Sequence, residues 1–142
     1  MKKYLPLLAL VLINPAYAND RDLKLETIKE MYQLSQDGEI GSRELFPRYA
    51  STSYIQALDL ESVVEDSGEM CGTGGDDMWS SSDVDFSQPL SFSIDKNEFV
   101  KVKIGNSAEV SYELSCNEYS CQIEDLYDTY GSHKRLLQNS CS

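Results

Sequence analysis

Strict period-two alternation through the second half of the chain is the feature that most narrows its fold. In Glu98-Phe-Val-Lys-Val-Lys-Ile104, the apolar Val100, Val102 and Ile104 alternate with Lys101 and Lys103. From Ala108 to Cys116 the apolar parity continues through Val110, Tyr112 and Leu114. Successive strand side chains point to opposite faces, so these runs predict an antiparallel sheet covered on one side. A three-residue loop, Gly105-Asn106-Ser107, pairs Ile104 with Ala108, Val102 with Val110 and Val100 with Tyr112. A two-residue loop would set Val102 against Glu109 and mix the faces, which burial forbids.

The next hairpin predicts a covalent bond. With Cys116 opposite Cys121, Leu114 faces Ile123, Tyr112 faces Asp125 and Val110 faces Tyr127. Cross-strand Cβ atoms lie about 4.5–5.5 Å apart, close to disulfide distance. Pairing Cys116 with Cys121 leaves Cys71 for Cys141, so two disulfides are expected. A zinc site is the alternative, but these four cysteines and the single His133 lack the short paired spacings of zinc modules.

The first half has helical periodicity instead. Leu25, Ile28 and Tyr32, widened by Met31 and Leu34, predict an amphipathic helix from Asp22 to Ser35 that ends at Asp37-Gly38. A shorter helical stretch from Ser42 is interrupted by Pro47. Ser51 or Thr52 then caps a helix carrying Tyr54, Ile55 and Leu58, running to about Val64. Ser132 caps a short terminal helix with Leu136 and Leu137. Helices followed by hairpins give an α+β domain, with the N-terminal helices packed on a curved antiparallel sheet.

Residues 1–18 read as a signal peptide. Lys2 and Lys3 precede the apolar run Leu5 to Ile13, and Ala16-Tyr17-Ala18 supplies the small residues of a cleavage site after Ala18. Residues 19–142 then form a single domain, periplasmic or secreted, where an oxidising environment permits disulfides. The later sequence contains no apolar run of membrane-spanning length. The formal net charge is −12, and loss of two leader lysines makes the remainder more acidic still. Such a surface repels nucleic acid and anionic lipid and favours a basic protein partner.

The order of elements, with Ile28-x-x-Met-Tyr32 closing the first helix, resembles the nuclear-transport-factor-like, or cystatin-like, fold. Ala108-x-Val-x-Tyr-x-Leu, Cys-Gln-Ile-Glu-Asp-Leu126 and Ser132-x-x-x-Leu136 resemble small exported bacterial domains of unknown function. In those domains the last strand often reads aromatic-x-Ile-x-Asp-apolar. Cys121 occupies the aromatic position here, while Ile123, Asp125 and Leu126 match. The resemblance implies a cone-like sheet whose pocket would be lined by Tyr32, Tyr112, Ile123 and Asp125. Acid–base enzymes of this fold commonly place a His and an Asp inside the cone. This chain departs from that pattern, since His133 falls beyond the last strand and reads as a solvated residue of the terminal helix.

Chemistry concentrates in Cys71-Gly-Thr-Gly-Gly-Asp-Asp-Met-Trp-Ser-Ser-Ser-Asp-Val-Asp85. It is no phosphate cradle: Asp76-Asp77 follows the glycines where Lys-Ser or Lys-Thr is needed, and two carboxylates repel phosphate. Neither a nucleophile elbow nor a catalytic triad is legible, so no catalytic residue and no cofactor is assigned. Asp76, Asp77, Asp83 and Asp85 are hard ligands suited to calcium, but their spacing does not match the known calcium loop, and no metal is assigned. From Tyr49 through Asp95 ten acids occur with no Lys or Arg. With Met78-Trp79 as an aromatic anchor, the segment reads as a contact surface of Asp76, Asp77, Trp79, Asp83 and Asp85. Trp79 plugging the open face of the sheet is the competing reading and the one a lone Trp favours, since such a residue is usually substantially buried. The expected function is a non-enzymatic exported binding protein, an immunity or inhibitor protein acting on a basic enzyme or toxin, with a small-ligand or enzymatic pocket as the competing reading.

Overall fold

A computed structural model describes residues 16–142. Most of the expected leader therefore lies outside the described residues, and its last residues begin the first helix. That helix, α1, spans Ala16–Gln36; α2 spans Ser42–Leu45 and runs into a 3-10 turn at Phe46–Arg48; α3 spans Thr52–Asp66. Five strands follow: β1 (Leu90–Ile94), β2 (Val100–Ile104), β3 (Ala108–Cys116), β4 (Cys121–Asp128) and β5 (Gly131–Ser132). Helix α4 (His133–Ser140) closes the chain. The fold is α+β, and the strands form one antiparallel sheet in the order β1-β2-β3-β4-β5.

Local sequence explains most boundaries. In α1, Ile28, Met31, Tyr32 and Ser35 are buried at i, i+3, i+4 and i+7, giving one inward stripe. Ser51 caps α3 by accepting from the Tyr54 N–H, and Ser132 caps α4 by accepting from the Arg135 N–H. The β2–β3 register follows the parity argument: Ile104 faces Ala108, Val102 faces Val110 and Val100 faces Tyr112. Those apolar positions are buried, apart from half-buried Ala108. Cys116 stands opposite Cys121 and is bonded to it, and Cys71 is bonded to Cys141. All four sulfurs are thereby consumed, which removes the zinc alternative.

Three features depart from the sequence reading. Leu90-Ser-Phe-Ser-Ile94 forms the edge strand β1, whose alternation was legible but overshadowed by the preceding Gly/Ser/Asp-rich loop. The β3–β4 register also slips between Glu113 and Leu114. Leu114 faces Ile123 as expected, but Glu113 then faces Asp125, Tyr112 faces Leu126 and Ser111 faces Tyr127. Glu124 is the extra residue, and a bulge of this kind re-aims every side chain beyond it. It places Leu126, not Asp125, across from Tyr112. On α3, the fully inward residues are Tyr54, Ala57 and Glu61, whereas Ile55 and Leu58 are only half-buried.

The start of α3 is fixed to the sheet. Ser51 N–H donates to the Ile123 carbonyl at 2.8 Å, and Ile123 N–H donates to the Tyr49 carbonyl at 2.7 Å. Among the described residues no helix is long and apolar enough to cross a membrane.

Candidate functional site

The crossover from α3 to β1 is built from inside outward. Met78 and Trp79 are buried, at 0% and 1% exposure. Trp79 packs edge-on to Tyr32 at 5.4 Å and to Phe86 at 5.2 Å, and its indole N–H donates to Ser35 Oγ at 2.9 Å. The Tyr32 hydroxyl donates to the Met78 carbonyl and shares a 2.7 Å hydrogen bond with the Tyr112 hydroxyl. Trp79 is therefore the plug that a lone Trp favours, and it drops out of the contact surface drawn from Asp76, Asp77, Asp83 and Asp85. An indole finding both an apolar bed and an acceptor gains more inside than at the surface.

The same packing displaces the expected cone pocket. Tyr32, Tyr112 and Ile123 are wholly buried and Asp125 is 5% exposed, with Met78 and Trp79 filling the space against the tyrosines. Burial pushes both tyrosine hydroxyls far above their ordinary pKa. Asp125 is occupied: it accepts from the backbone N–H groups of Leu126 and Lys134 and from the Ser132 hydroxyl. A carboxylate at the N-terminal turn of α4 satisfies orphan amides and suits the helix dipole. Its role is structural.

The four loop aspartates are separated rather than gathered. Asp76 accepts from the Ser42 hydroxyl at 2.7 Å and from Trp79 N–H, Asp77 accepts from the Thr73 hydroxyl, and Asp85 accepts from Ser87. The Ser87 hydroxyl and N–H hold the Asp85 carboxyl below its usual range. Asp83 is exposed on the turn closed by Ser81. Among the described residues no group of three or more His, Cys, Asp or Glu is placed to hold a metal ion.

What the fold assembles instead is a cleft of about 350 Å³ between α2, α3, the acidic loop and the first residue of α4. Phe46, Pro47, Ile55, Leu58 and Met78 supply apolar wall, and Arg43, Asp59, Glu61, Asp76, Asp77 and His133 supply charge. Its volume lies in the range of small-ligand sites. Arg43, at the mouth, forms a two-pronged pair with Glu65 and approaches Glu61 Oε1 at 3.4 Å. Burial raises the Glu61 carboxyl above its usual pKa; Arg43 works against the shift, and Asp77 and Glu65 add to it. Gly72 makes that burial possible. Its φ is +75°, and a Cβ there would stand 2.7 Å from Glu61 Oε2.

His133 corrects a second expectation, since it is buried at 4% exposure rather than solvated. Its Nδ1 shares a hydrogen bond with the Tyr54 hydroxyl, and its Nε2 lies 3.2 Å from Asp77 Oδ2. That second contact is an ion pair when the ring is protonated, and Nε2 makes no other hydrogen bond among the described residues. Two of these residues had faint sequence signals. His133 precedes Leu137 by four, which sets both on the buried face of α4, and Glu61 follows Tyr54 by seven on that of α3.

Burial of the ring opposes its protonation, but Asp77, then Glu61 and Asp125, outweigh that and raise the His133 pKa. Its stabilising contribution is complete below the ordinary histidine value of about 6.5 and is lost as pH rises through the raised folded value. The melting temperature should therefore fall over that interval in the wild type and stay flatter in His133→Gln. Parallel profiles would show that His133 does not titrate with folding.

Comparison with protein-family models, with curated proteins and with solved structures finds no match for this chain.

Proposed function

We propose that this chain is a non-enzymatic exported binding protein, most concretely an immunity or inhibitor protein that blocks a basic enzyme or toxin through its acidic loop. The observation that carries the reading is uncompensated charge. Among the described residues, Asp59, Asp66, Glu69, Asp76, Asp83 and Asp85 form no ion pair, and all lie in α3 and the following loop. A strongly negative surface accelerates association with a basic partner and suppresses wrong ones. With Trp79 buried, Phe86 and Met70, 44% and 73% exposed, are the apolar groups the loop offers a partner.

The resemblance to the cystatin-like fold supports the same class of exported domain. In this reading the helices lie on one face of a curved sheet, with α1 touching β1, β2, β3 and β4. The two disulfides are consistent with a periplasmic or extracellular setting.

The test is capture of a partner from a periplasmic extract across a salt series, followed by kinetics with Asp83→Asn/Asp85→Asn. A basic protein is expected, released by salt, with association slowed about tenfold in the double variant. Salt-independent capture, or unchanged kinetics in the variant, would reject the acidic-loop reading.

A further inference from the structure

The two edges of the sheet are finished differently. At one end, β5 is only two residues long and runs directly into α4. At the other, β1 is a five-residue strand with no strand beyond it among the described residues. The hydrogen bonds on either side of β1 fix which of its groups point outward. Gly105 N–H donates to the Pro89 carbonyl at 2.8 Å, and Asp95 N–H donates to the Phe99 carbonyl at 2.9 Å. Bonded and non-bonded positions alternate along an antiparallel pair, so Ser91 and Ser93 bond to β2. Leu90, Phe92 and Ile94 then turn their N–H and C=O groups to the open edge. Among the described residues, no loop or helix backbone bonds to those groups.

An open edge is a template for another strand, and proteins usually blunt it with charge, proline, a bulge or a cover. Leu90-Ser-Phe-Ser-Ile94 has no charged residue and no proline, and its register with β2 is unbroken. Its pattern is the same in both directions about Phe92: aliphatic, Ser, Phe, Ser, aliphatic. Antiparallel pairing of two copies about a two-fold axis at Phe92 sets Phe92 against the second copy's Phe92. Leu90 then faces Ile94, and Ser91 faces Ser93. The outward groups share that symmetry, so every free N–H meets a carbonyl of the other copy. Aromatic and hydroxyl pairs are among the favourable cross-strand combinations. Just beyond the strand, Asp95 falls opposite Pro89 and Lys96 opposite Gln88. No like charges meet there, although each copy is strongly acidic. Leu90, Phe92 and Ile94 are half-buried against the core, and a second copy would extend their cover.

We infer that β1 is a self-pairing edge: two copies of this chain join β1 to β1, antiparallel and centred on Phe92, into one continuous sheet. The contact is isologous, so it closes as a dimer and consumes the open edge of both copies. The inference goes beyond the acidic-loop reading and does not depend on Asp83 or Asp85.

Sedimentation velocity of the folded, disulfide-bonded protein tests it over a concentration series reaching about 1 mM. A small interface associates weakly, so a reversible dimer with Kd on the order of 100 µM is expected. Amide hydrogen exchange at Leu90, Phe92 and Ile94 should slow as the concentration rises, because those N–H groups become bonded. Ser91→Glu/Ser93→Glu should weaken the dimer about tenfold or more, since carboxylates then face each other across the two-fold axis. Within one chain the same positions face Lys103 and Lys101, so this variant should melt no lower than the wild type. Ser91→Lys/Ser93→Lys should be monomeric alone, and an equimolar mixture of the two folded variants should dimerise again. A wild type that stays monomeric at about 1 mM, or a dimer indifferent to Ser91→Glu/Ser93→Glu, overturns the inference. A mixture of folded variants that fails to associate does the same. Protection of the β1 amides only when another protein is added would assign the edge to a foreign strand and overturn self-pairing.

Discussion

Replacing Trp79 with Ala is expected to lower the stability of the protein by about 4 kcal/mol, within the usual range for truncating a buried aromatic. The ring is 1% exposed and contacts Tyr32 and Phe86, so its removal leaves a void between α1 and the acidic loop. The loss also strips Ser35 Oγ, itself buried, of its indole donor. Trp79→Phe separates the two effects, since it retains much of the packing and forfeits only the hydrogen bond, worth about 1 kcal/mol. Urea denaturation of both variants checks this, with the midpoint reporting stability and an unchanged slope reporting a preserved unfolded state. A Trp79→Ala cost below about 1 kcal/mol, in the range of surface substitutions, would mean that the ring is not the plug described here.

The second large effect concerns the two disulfides, which should differ in worth. Cys71 and Cys141 are separated by 70 positions, Cys116 and Cys121 by 5. A cross-link restricts the unfolded chain more as its loop lengthens, about 4 kcal/mol for the long loop and about 2 kcal/mol for the short one. The long bridge also ties the beginning of the acidic loop to the residue that caps α4, where Cys141 is buried. Cys71→Ser/Cys141→Ser should therefore lose roughly twice the stability of Cys116→Ser/Cys121→Ser. The acidic loop should become the first site of proteolysis. Equal losses in the two double variants would show that local strain, not chain restriction, sets their value.

Much of the sheet was readable because a strand repeats every two residues. Once Val100, Val102 and Ile104 had to share a face, the loop length left one acceptable register. That register carried the cysteines with it and paired Cys116 with Cys121. Helix caps were equally legible at Ser51 and Ser132, since capping is a contact between near neighbours in sequence. The bulge at Glu124 was not legible. Alternation says where a regular ladder should continue, but not where one extra residue is absorbed, so Asp125 and Tyr127 were misplaced by one position.

The candidate site divides along the same line. The acidic segment without Lys or Arg, the two-disulfide frame and the alternating apolar face were legible because composition, spacing and period two are properties of the chain. That Trp79 points inward, that His133 is buried beside Tyr54 and Asp77, and that Glu61 lies next to them in a cleft follows from packing between distant elements. Tyr54 and His133 are 79 positions apart, and Trp79 and Ser35 are 44. Contacts of that range form where helices, loop and sheet meet, and no local pattern of residues encodes which side chains will share that space.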